Sequence, residues 1–569
     1  MARGLADYQD LESGSHEEVL STRQREILDL LTQGKANKEI AYELGIGIGT
    51  VKQHLVALYK KMGVSNRAMA VSKGISTDGG LHSNISSAPG KDLYLERRSA
   101  VVLSLQVRPD DGVIEEENAI IARRILSQNA MDFDALFLAN PDARGDVIFG
   151  LERTRRYDCL RAVRLAISVA RDIENKLGPS FNVRAGMSCG YVLKGIGADA
   201  SWTGEVIAID VISEARQQIP KSSSSALCLS ESAITAARSL GMCADDHGGK
   251  TIPLETTFRW SYCKDGHDAL LFGRDDELQS LIDSYGALEQ GEPQTICIES
   301  GAGMGRTALV RAYADQIAAR KVPVHFYKAL MPNSKPSGRS RGMIEAMDVA
   351  KKPVTAAAFL DGLSKLKACV IIVEDCHALS QTDFEILATP NPNRAAAGVQ
   401  LVLTYRGRLS EEIKAIKGVH IIRLGRLDDK FASALAADRA STAKRLQKWA
   451  MEKSNGVPGF ITSLCAAGKG LPEKADLDRQ PVPYDLFSMI EERIDALGVS
   501  RNLLFMLAND EQQTNAAMDQ REIAQALKAG FLKKNTGSSG TKLTYSHANP
   551  TVAWVMAHSF VRRNTVFAR

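Results

Sequence analysis

The chain has 569 residues, 44% apolar and 24% charged, with a formal net charge of +4. At about 150 residues per domain this suits roughly four globular domains, and it excludes a polycation or a disordered polar chain. No apolar run nears the roughly 20 residues of a membrane helix. The N-terminus MARGLADYQDLESG has no apolar signal core, and nine scattered cysteines lack any C-x-x-C pair or neighbouring His cluster. Reduced thiols, no structural metal, no membrane partner and a cytoplasmic location are therefore expected.

The first unit spans about residues 18–74. Ser21 and Gln24 make a capping-box start, and Gly34 stops that helix. Asn37 can cap a second helix, KEIAYEL, which Gly45 ends; a third begins near Gly49 or Thr50. Two helices joined by a brief Gly-containing turn make a helix-turn-helix, whose second helix enters the major groove. Residues 21–74 carry nine Lys or Arg against four Asp or Glu, a surplus of five that exceeds the +4 of the entire chain. The basic character sits here, where phosphate contacts would bring affinity and salt dependence.

The pieces TRQREIL, NKEIA, GTVKQHL and KMGVSNRAMAV resemble the LuxR-type helix-turn-helix family along the whole unit. The resemblance implies double-stranded DNA as partner, with Lys52, Gln53 and Val56 facing base edges. It places Thr50, His54, Lys60 and Lys61 near phosphates. Its fourth helix, here Asn66 to Lys73, implies a homodimer on two half-sites, and RNA polymerase is a further expected partner. Residues 75–93, rich in Ser and Gly, read as a flexible linker.

Residues 94–263 alternate β-rich runs such as SAVVLSLQV with helices. The clearest helix covers 158–178, with Leu160, Val163, Ile167, Ala170, Ile173 and Leu177 on one face and Gly178–Pro179 as its stop. ERRSAVVLSLQV, Gly145–Asp146 and VRAGMSCGYVLKGIG resemble class III nucleotide cyclases. That family needs two carboxylates to hold two metal ions. Gln106 stands where the first would close the first strand. Asp146 is the candidate for the second, but reads more as a solvated turn residue than as a metal ligand. Ala208 and Ile212 hold the places of the family's Asn and Arg, with Arg216 one helical turn too late. A catalytically degenerate sensory or scaffold domain is expected, and no catalytic residue is assigned.

Residues 268–470 alternate short buried strands with helices, as α/β proteins do. TICIE, then SGAGMGRT, then ALVRAYADQIAAR gives strand, glycine loop and helix, the context of a P-loop. Gly301, Gly303 and Gly305 would turn backbone N–H groups toward phosphate, Arg306 stands in place of the usual Lys, and Thr307 keeps a hydroxyl. Ser300 replaces the first Gly and puts a Cβ where the turn should be tight. KACVIIVEDCH ends in Glu374 and Asp375 in the manner of a Walker B strand; with Thr307 these are the Mg²⁺ candidates. QLVLTYRGR ends in Thr404 and Arg406, a sensor position. With KSNGVPGFI near residue 455 these pieces resemble the signal-transduction ATPases with numerous domains. ATP with Mg²⁺ is the cofactor this implies.

Residues 480–569 read as helical, with REIAQALKAGFLKK, a turn and LTYSH resembling a winged helix, or else as a plain helical packing domain; Lys528, Lys533 and Lys534 are its basic residues. The expected fold is multidomain: an all-α helix-turn-helix, an α+β cyclase-like (ferredoxin-like) domain, then an α/β P-loop domain with a helical or winged-helix C-terminal part. The expected function is a bacterial transcription regulator whose degenerate modules control the DNA reader. The rival readings are a working cyclase or ATPase with an accessory DNA module, and a nucleotide-independent scaffold.

Overall fold

The computed structural model describes residues 22–32, single positions between 40 and 58, and residues 94–562 with interruptions, the longer of them at 263–270, 331–342, 347–353 and 510–518. The chain divides into two units, Met1–Tyr94 with Lys194–Val206, and Leu95–Leu193 with Ile207–Arg569.

In the first unit a helix spans Thr22–Thr32. It buries Gln24, Ile27 and Leu28, and Ile40, Val51, Leu55 and Leu58 are buried too. The 51/55/58 spacing is one face of a helix, and the described residues among 50–58 are helical. Arg23 donates to the Leu44 carbonyl at 2.6 Å.

In the second unit, β1 (Tyr94–Pro109), β2 (Leu136–Asn140), β3 (Arg144–Phe149), β4 (Phe181–Ile196), β6 (Ala226–Leu229), β7 (Met242–Ala244), β8 (Thr251–Pro253) and β9 (Trp260–Tyr262) are interleaved with helices, while β5 (Trp202–Ile207) falls almost wholly in the first unit. The main sheet runs β2-β3-β1-β4-β6-β8. Its first four strands, with helices Glu116–Asp132 and Asp158–Leu177, make the β-α-β-β-α-β arrangement. Leu103, Leu105 and Val107 of β1, with Val183, Ala185 and Met187 of β4, face the two helices in one core. The alternate residues Ser104, Gln106 and Gly186 lie on the opposite face.

Helix Asp158–Leu177 ends at Gly178, which adopts φ +97°. Its buried face differs from the expected one. Ala162, Leu165, Ala166 and Val169 are buried beside Leu160, Val163 and Ile173. Ile167, Ala170 and Leu177 are only half-buried. The helix is covered on more than one side, so a single apolar stripe describes it poorly.

The second sheet contains β10 (Thr295–Ser300), β11 (Val324–Leu330), β12 (Met343–Ala346), β13 (Cys369–Glu374), β14 (Val399–Arg406) and β15 (Val419–Leu424), in the order β12-β11-β13-β14-β10-β15. All its pairings are parallel except β11 with β12. β10 and β13 are buried at every residue. Helices on both faces explain their unbroken apolar runs. Ile296 and Ile298 enter one core and Cys297 the other. β10 lies between β14 and β15, while its successor β11 lies beyond β13. Such a switch point opens a crevice at the carboxyl ends of the strands.

A further core runs without a break from Leu427 to Met556. It joins helices Asp429–Ala440, Lys444–Ser454 and Pro458–Gly468 to Tyr484–Leu497, Arg501–Ala508, Gln520–Lys528 and Pro550–Ala557. Helix Gln520–Lys528 is followed by the antiparallel hairpin β16 (Leu532–Thr536) and β17 (Leu543–His547). The last strand, β18 (Phe560–Arg562), returns to pair with β1.

A buried ion network joins β1 to helix Tyr484–Leu497. Arg98 meets Asp495 at 2.8 Å, Glu96 at 3.3 Å and Glu491 at 3.6 Å. Arg501 meets Glu491 at 2.5 Å and Asp495 at 2.6 Å. The backbone N–H of Ser99 donates to Glu491 at 2.8 Å, and that of Thr154 to Asp495 at 2.8 Å. The first sheet and the C-terminal helices therefore share a fixed contact.

Candidate functional site

Among the DNA-reading residues expected from sequence, Thr50 is exposed and His54 half-buried, both in helical conformation. Lys52, Gln53, Val56, Lys60 and Lys61 lie outside the described residues, as do the linker and the expected dimer helix.

Around Gln106 and Asp146 the geometry corrects three expectations. β1 continues past Gln106 to Pro109, and Gln106 pairs opposite Arg144. With its amide oxygen turned toward the guanidiniums, Gln106 accepts from Arg144 at 2.8 Å and Arg108 at 2.9 Å. Asp146 is not a solvated turn residue: it is 1% exposed, inside β3. Its carboxylate accepts from Ser104 at 2.6 Å, Asn140 at 2.8 Å and Arg216 at 2.5 Å. Burying a carboxylate demands such partners. Arg216, judged too late by spacing, meets it because helix Ile209–Gln217 crosses β4 at Gly186. A Cβ there would stand 2.0 Å from the Ala215 carbonyl oxygen. Gly186→Ala is therefore expected to displace this helix and cost about 1–3 kcal/mol by overpacking. Thermal unfolding reads the effect; an unchanged midpoint would show that the close approach does not matter.

The glycine loop follows β10. Ser300 ends the strand in extended backbone, buried, so its Cβ meets no tight turn, contrary to expectation. The left-handed positions are Gly303 (φ +75°) and Gly305 (φ +88°). Helix Arg306–Ala319 starts directly after them. Arg274 fixes the loop from outside by donating to the Met304 carbonyl at 3.4 Å and to that of Gly425 at 2.5 Å. Gly459, at the start of helix Pro458–Gly468, donates its N–H to the Gly303 carbonyl at 2.8 Å.

The loop borders a cavity of about 330 Å³. Gly301, Gly303, Gly305, Arg306, Thr307 and Arg406 line it, and Glu374 and Asp375 do not. Arg155, Arg274 and Arg439 also line it, paired with Asp134 at 2.7 Å, Glu277 at 3.0 Å and Asp438 at 3.5 Å. Three acids share the wall: Asp158, Asp485 and Glu492. Glu492 is held by Arg406 at 2.6 Å and Asp158 by Arg161 at 2.5 Å. Burial pushes the Asp158 carboxyl above the usual range, against the opposing pull of Arg161. A wall rich in guanidinium suits an anionic ligand.

The two acids at the end of β13 are already committed. Glu374 meets Lys328 at 3.9 Å, both side chains buried. Asp375 takes a left-handed backbone (φ +57°), and its N–H donates to the Thr404 hydroxyl at 3.0 Å. Its Oδ1 pairs with Arg306 at 3.2 Å and lies 3.9 Å from Arg406. Its Oδ2 accepts from the Tyr157 hydroxyl, whose ring lies 3.3 Å from the Lys328 ammonium. Among the described residues no group of three or more His, Cys, Asp or Glu could hold a metal ion. The donor set therefore does not fit Mg²⁺ on Glu374 and Asp375.

Tyr157, Lys328, Arg155, Arg439 and Glu492 belong to this site and carried no signal in the sequence. They stand on strands, helices and loops far apart in the chain. Arg274 sits in LFGRDDEL just ahead of the loop, where its place in sequence was a usable hint.

Residues 18–73 match the family model of bacterial regulatory proteins, luxR family. This N-terminal segment is a LuxR-type helix-turn-helix domain. It is 46% identical over 86 residues to a probable transcriptional regulatory protein, SgaR, of Hyphomicrobium methylovorum, covering 14% of this chain and 41% of that protein. It is 50% identical over 64 residues to a putative HTH-type transcriptional regulator, YhjB, of Escherichia coli strain K12 (11% and 29%). It is 49% identical over 53 residues to the transcriptional regulatory protein LiaR of Bacillus subtilis strain 168 (9% and 25%). The chain spans less than half the length of these relatives. Similar solved structures include the adenylyl cyclase CyaB from P. aeruginosa, at 16% identity and TM-score 0.23, covering 27% of this chain and 87% of that one. They also include a Thermotoga maritima RuvB variant at 14% identity and TM-score 0.28, covering 46% and 90%. No helix among the described residues is long and apolar enough to cross a membrane.

Proposed function

We propose that the protein is a cytoplasmic DNA-binding transcription regulator in which residues 18–74 read duplex DNA as a homodimer and the remaining segments control that reading. The match of residues 18–73 to the luxR family carries the first half. RNA polymerase is the partner such a regulator would address.

The controller binds nucleotide at the glycine loop without spending it. The observation that supports this is the cavity of about 330 Å³ at the loop, bordered by a helix N-terminus and lined by Arg155, Arg274, Arg306, Arg406 and Arg439. The sheet around Asp146 serves as a degenerate cyclase-like scaffold, since Arg216 occupies its one acid. Ligand binding would shift the population between a restrained and a DNA-competent state.

The test is DNA binding by the full chain across ionic strength. The slope of log K against log salt should be about −0.9 for each phosphate neutralised. Lys52→Ala should weaken specific binding by about 1–3 kcal/mol if Lys52 reads a base edge. A slope near zero would refute the DNA reading.

A further inference from the structure

We propose that the glycine-loop cavity binds nucleotide phosphates without a divalent metal, the guanidinium of Arg306 standing in for the ion. The inference rests on the nucleotide reading above.

The carboxylates around this loop are already engaged. On the cavity wall Asp158 pairs with Arg161, Glu492 with Arg406, and Asp485 accepts from the Ser463 hydroxyl. Both acids at the end of β13 are held by protein cations: Glu374 by Lys328 at 3.9 Å, Asp375 by Arg306 at 3.2 Å. The second oxygen of Asp375 accepts from Tyr157. Arg306 and Asp375 are 7% and 5% exposed, so their attraction is weakly screened. A divalent ion entering here would meet the guanidiniums of Arg306 and Arg406 beside the carboxylate it sought.

The replacement of Lys by Arg at this place explains the arrangement. A lysine ammonium is a point charge at the end of a flexible stem. A guanidinium carries five N–H donors in a fixed plane, so it can hold a carboxylate and a phosphate together. Arg155, Arg274 and Arg439 bring further positive charge to the wall. Charge neutralisation of the phosphates is therefore built into the protein.

A comparable arginine–carboxylate pair stands at Asp146. Asp146 would be the remaining metal carboxylate of a cyclase, and Arg216 sits on it at 2.5 Å. At both places an arginine fills the electrostatic role of an ion. Unlike a dissociable metal, the guanidinium cannot leave the site, so ligand binding would be insensitive to metal supply.

The experiment is titration of the full chain with a fluorescent ATP analogue and its ADP counterpart, in EDTA and in excess Mg²⁺. The Kd should agree within about twofold between the two conditions. Arg306→Lys, which restores a point charge and loosens the hold on Asp375, should make binding Mg²⁺-dependent, tightening about tenfold or more when the ion is added. Mg²⁺ tightening the parent by about tenfold would overturn metal independence while leaving nucleotide binding standing. Absence of binding in both conditions, with the chain folded by circular dichroism, would overturn the nucleotide reading and this inference together.

Discussion

Glu491→Ala should lower stability by about 3–5 kcal/mol, because it breaks a buried ion network from one side. Glu491 is fully buried and faces Arg98 and Arg501 together. It also accepts from the Ser99 backbone N–H. Removal leaves two guanidiniums buried with only Glu96 and Asp495 to answer them. Glu491→Gln should cost less, since an amide oxygen still accepts from Ser99. Denaturant unfolding followed by far-UV circular dichroism measures the difference; equal midpoints for parent and Glu491→Ala would refute it. The same network gives an acid dependence. Burial alone would raise the Asp495 carboxyl, but Arg501 and Arg98 outweigh it and hold the carboxyl below its usual range. A depressed carboxylate contributes stability that is full above its unfolded value, about 3.9, and is lost as pH falls through the folded value. The contact between the first sheet and the C-terminal helices should thus weaken below about pH 4.

Gly303→Val should be the most damaging change at the glycine loop. The left-handed backbone at Gly303 costs a residue with a side chain about 1–2 kcal/mol. A Cβ there would also stand 3.1 Å from Met489 Sδ and from Val457 Cγ1, adding about 1–3 kcal/mol of overpacking. Across the contact, a Cβ on Gly459 would lie 2.9 Å from Gly303 Cα, so neither chain can retreat toward the other. On the nucleotide reading, Gly303→Val should weaken binding at least about tenfold by deforming the loop. The comparison is Ser300→Gly, in extended backbone at the end of β10, which should leave affinity close to that of the parent. Equal affinity for Gly303→Val would mean that phosphate does not rest on this loop.

Local features of the fold were readable in the sequence because local rules govern them. Helix Asp158–Leu177 showed its periodicity and its glycine stop, and the unbroken apolar runs of β10 and β13 announced a sheet covered on both faces. The glycine loop and helix Arg306–Ala319 followed from the spacing of three glycines. What spacing could not give was which groups face each other. Ser300 looked like a fault in a tight turn, because its extended backbone could not be known. Arg216 looked misplaced by a turn of helix, because its reach depends on how closely that helix approaches Gly186.

The sequence by itself determined the LuxR-type reader, since the residues of that compact unit are neighbours in the chain and their types are specific. For the other segments it offered resemblances, with Gln106, Ala208, Ile212 and Arg306 departing from the patterns they resemble. Only the tertiary structure decided which groups stand together there. Arg306 on Asp375, Tyr157 on the same carboxylate, Lys328 on Glu374 and Arg216 on Asp146 are contacts between residues dozens to hundreds of positions apart. A buried charge must find a partner of opposite sign, and packing alone chooses which one is within reach.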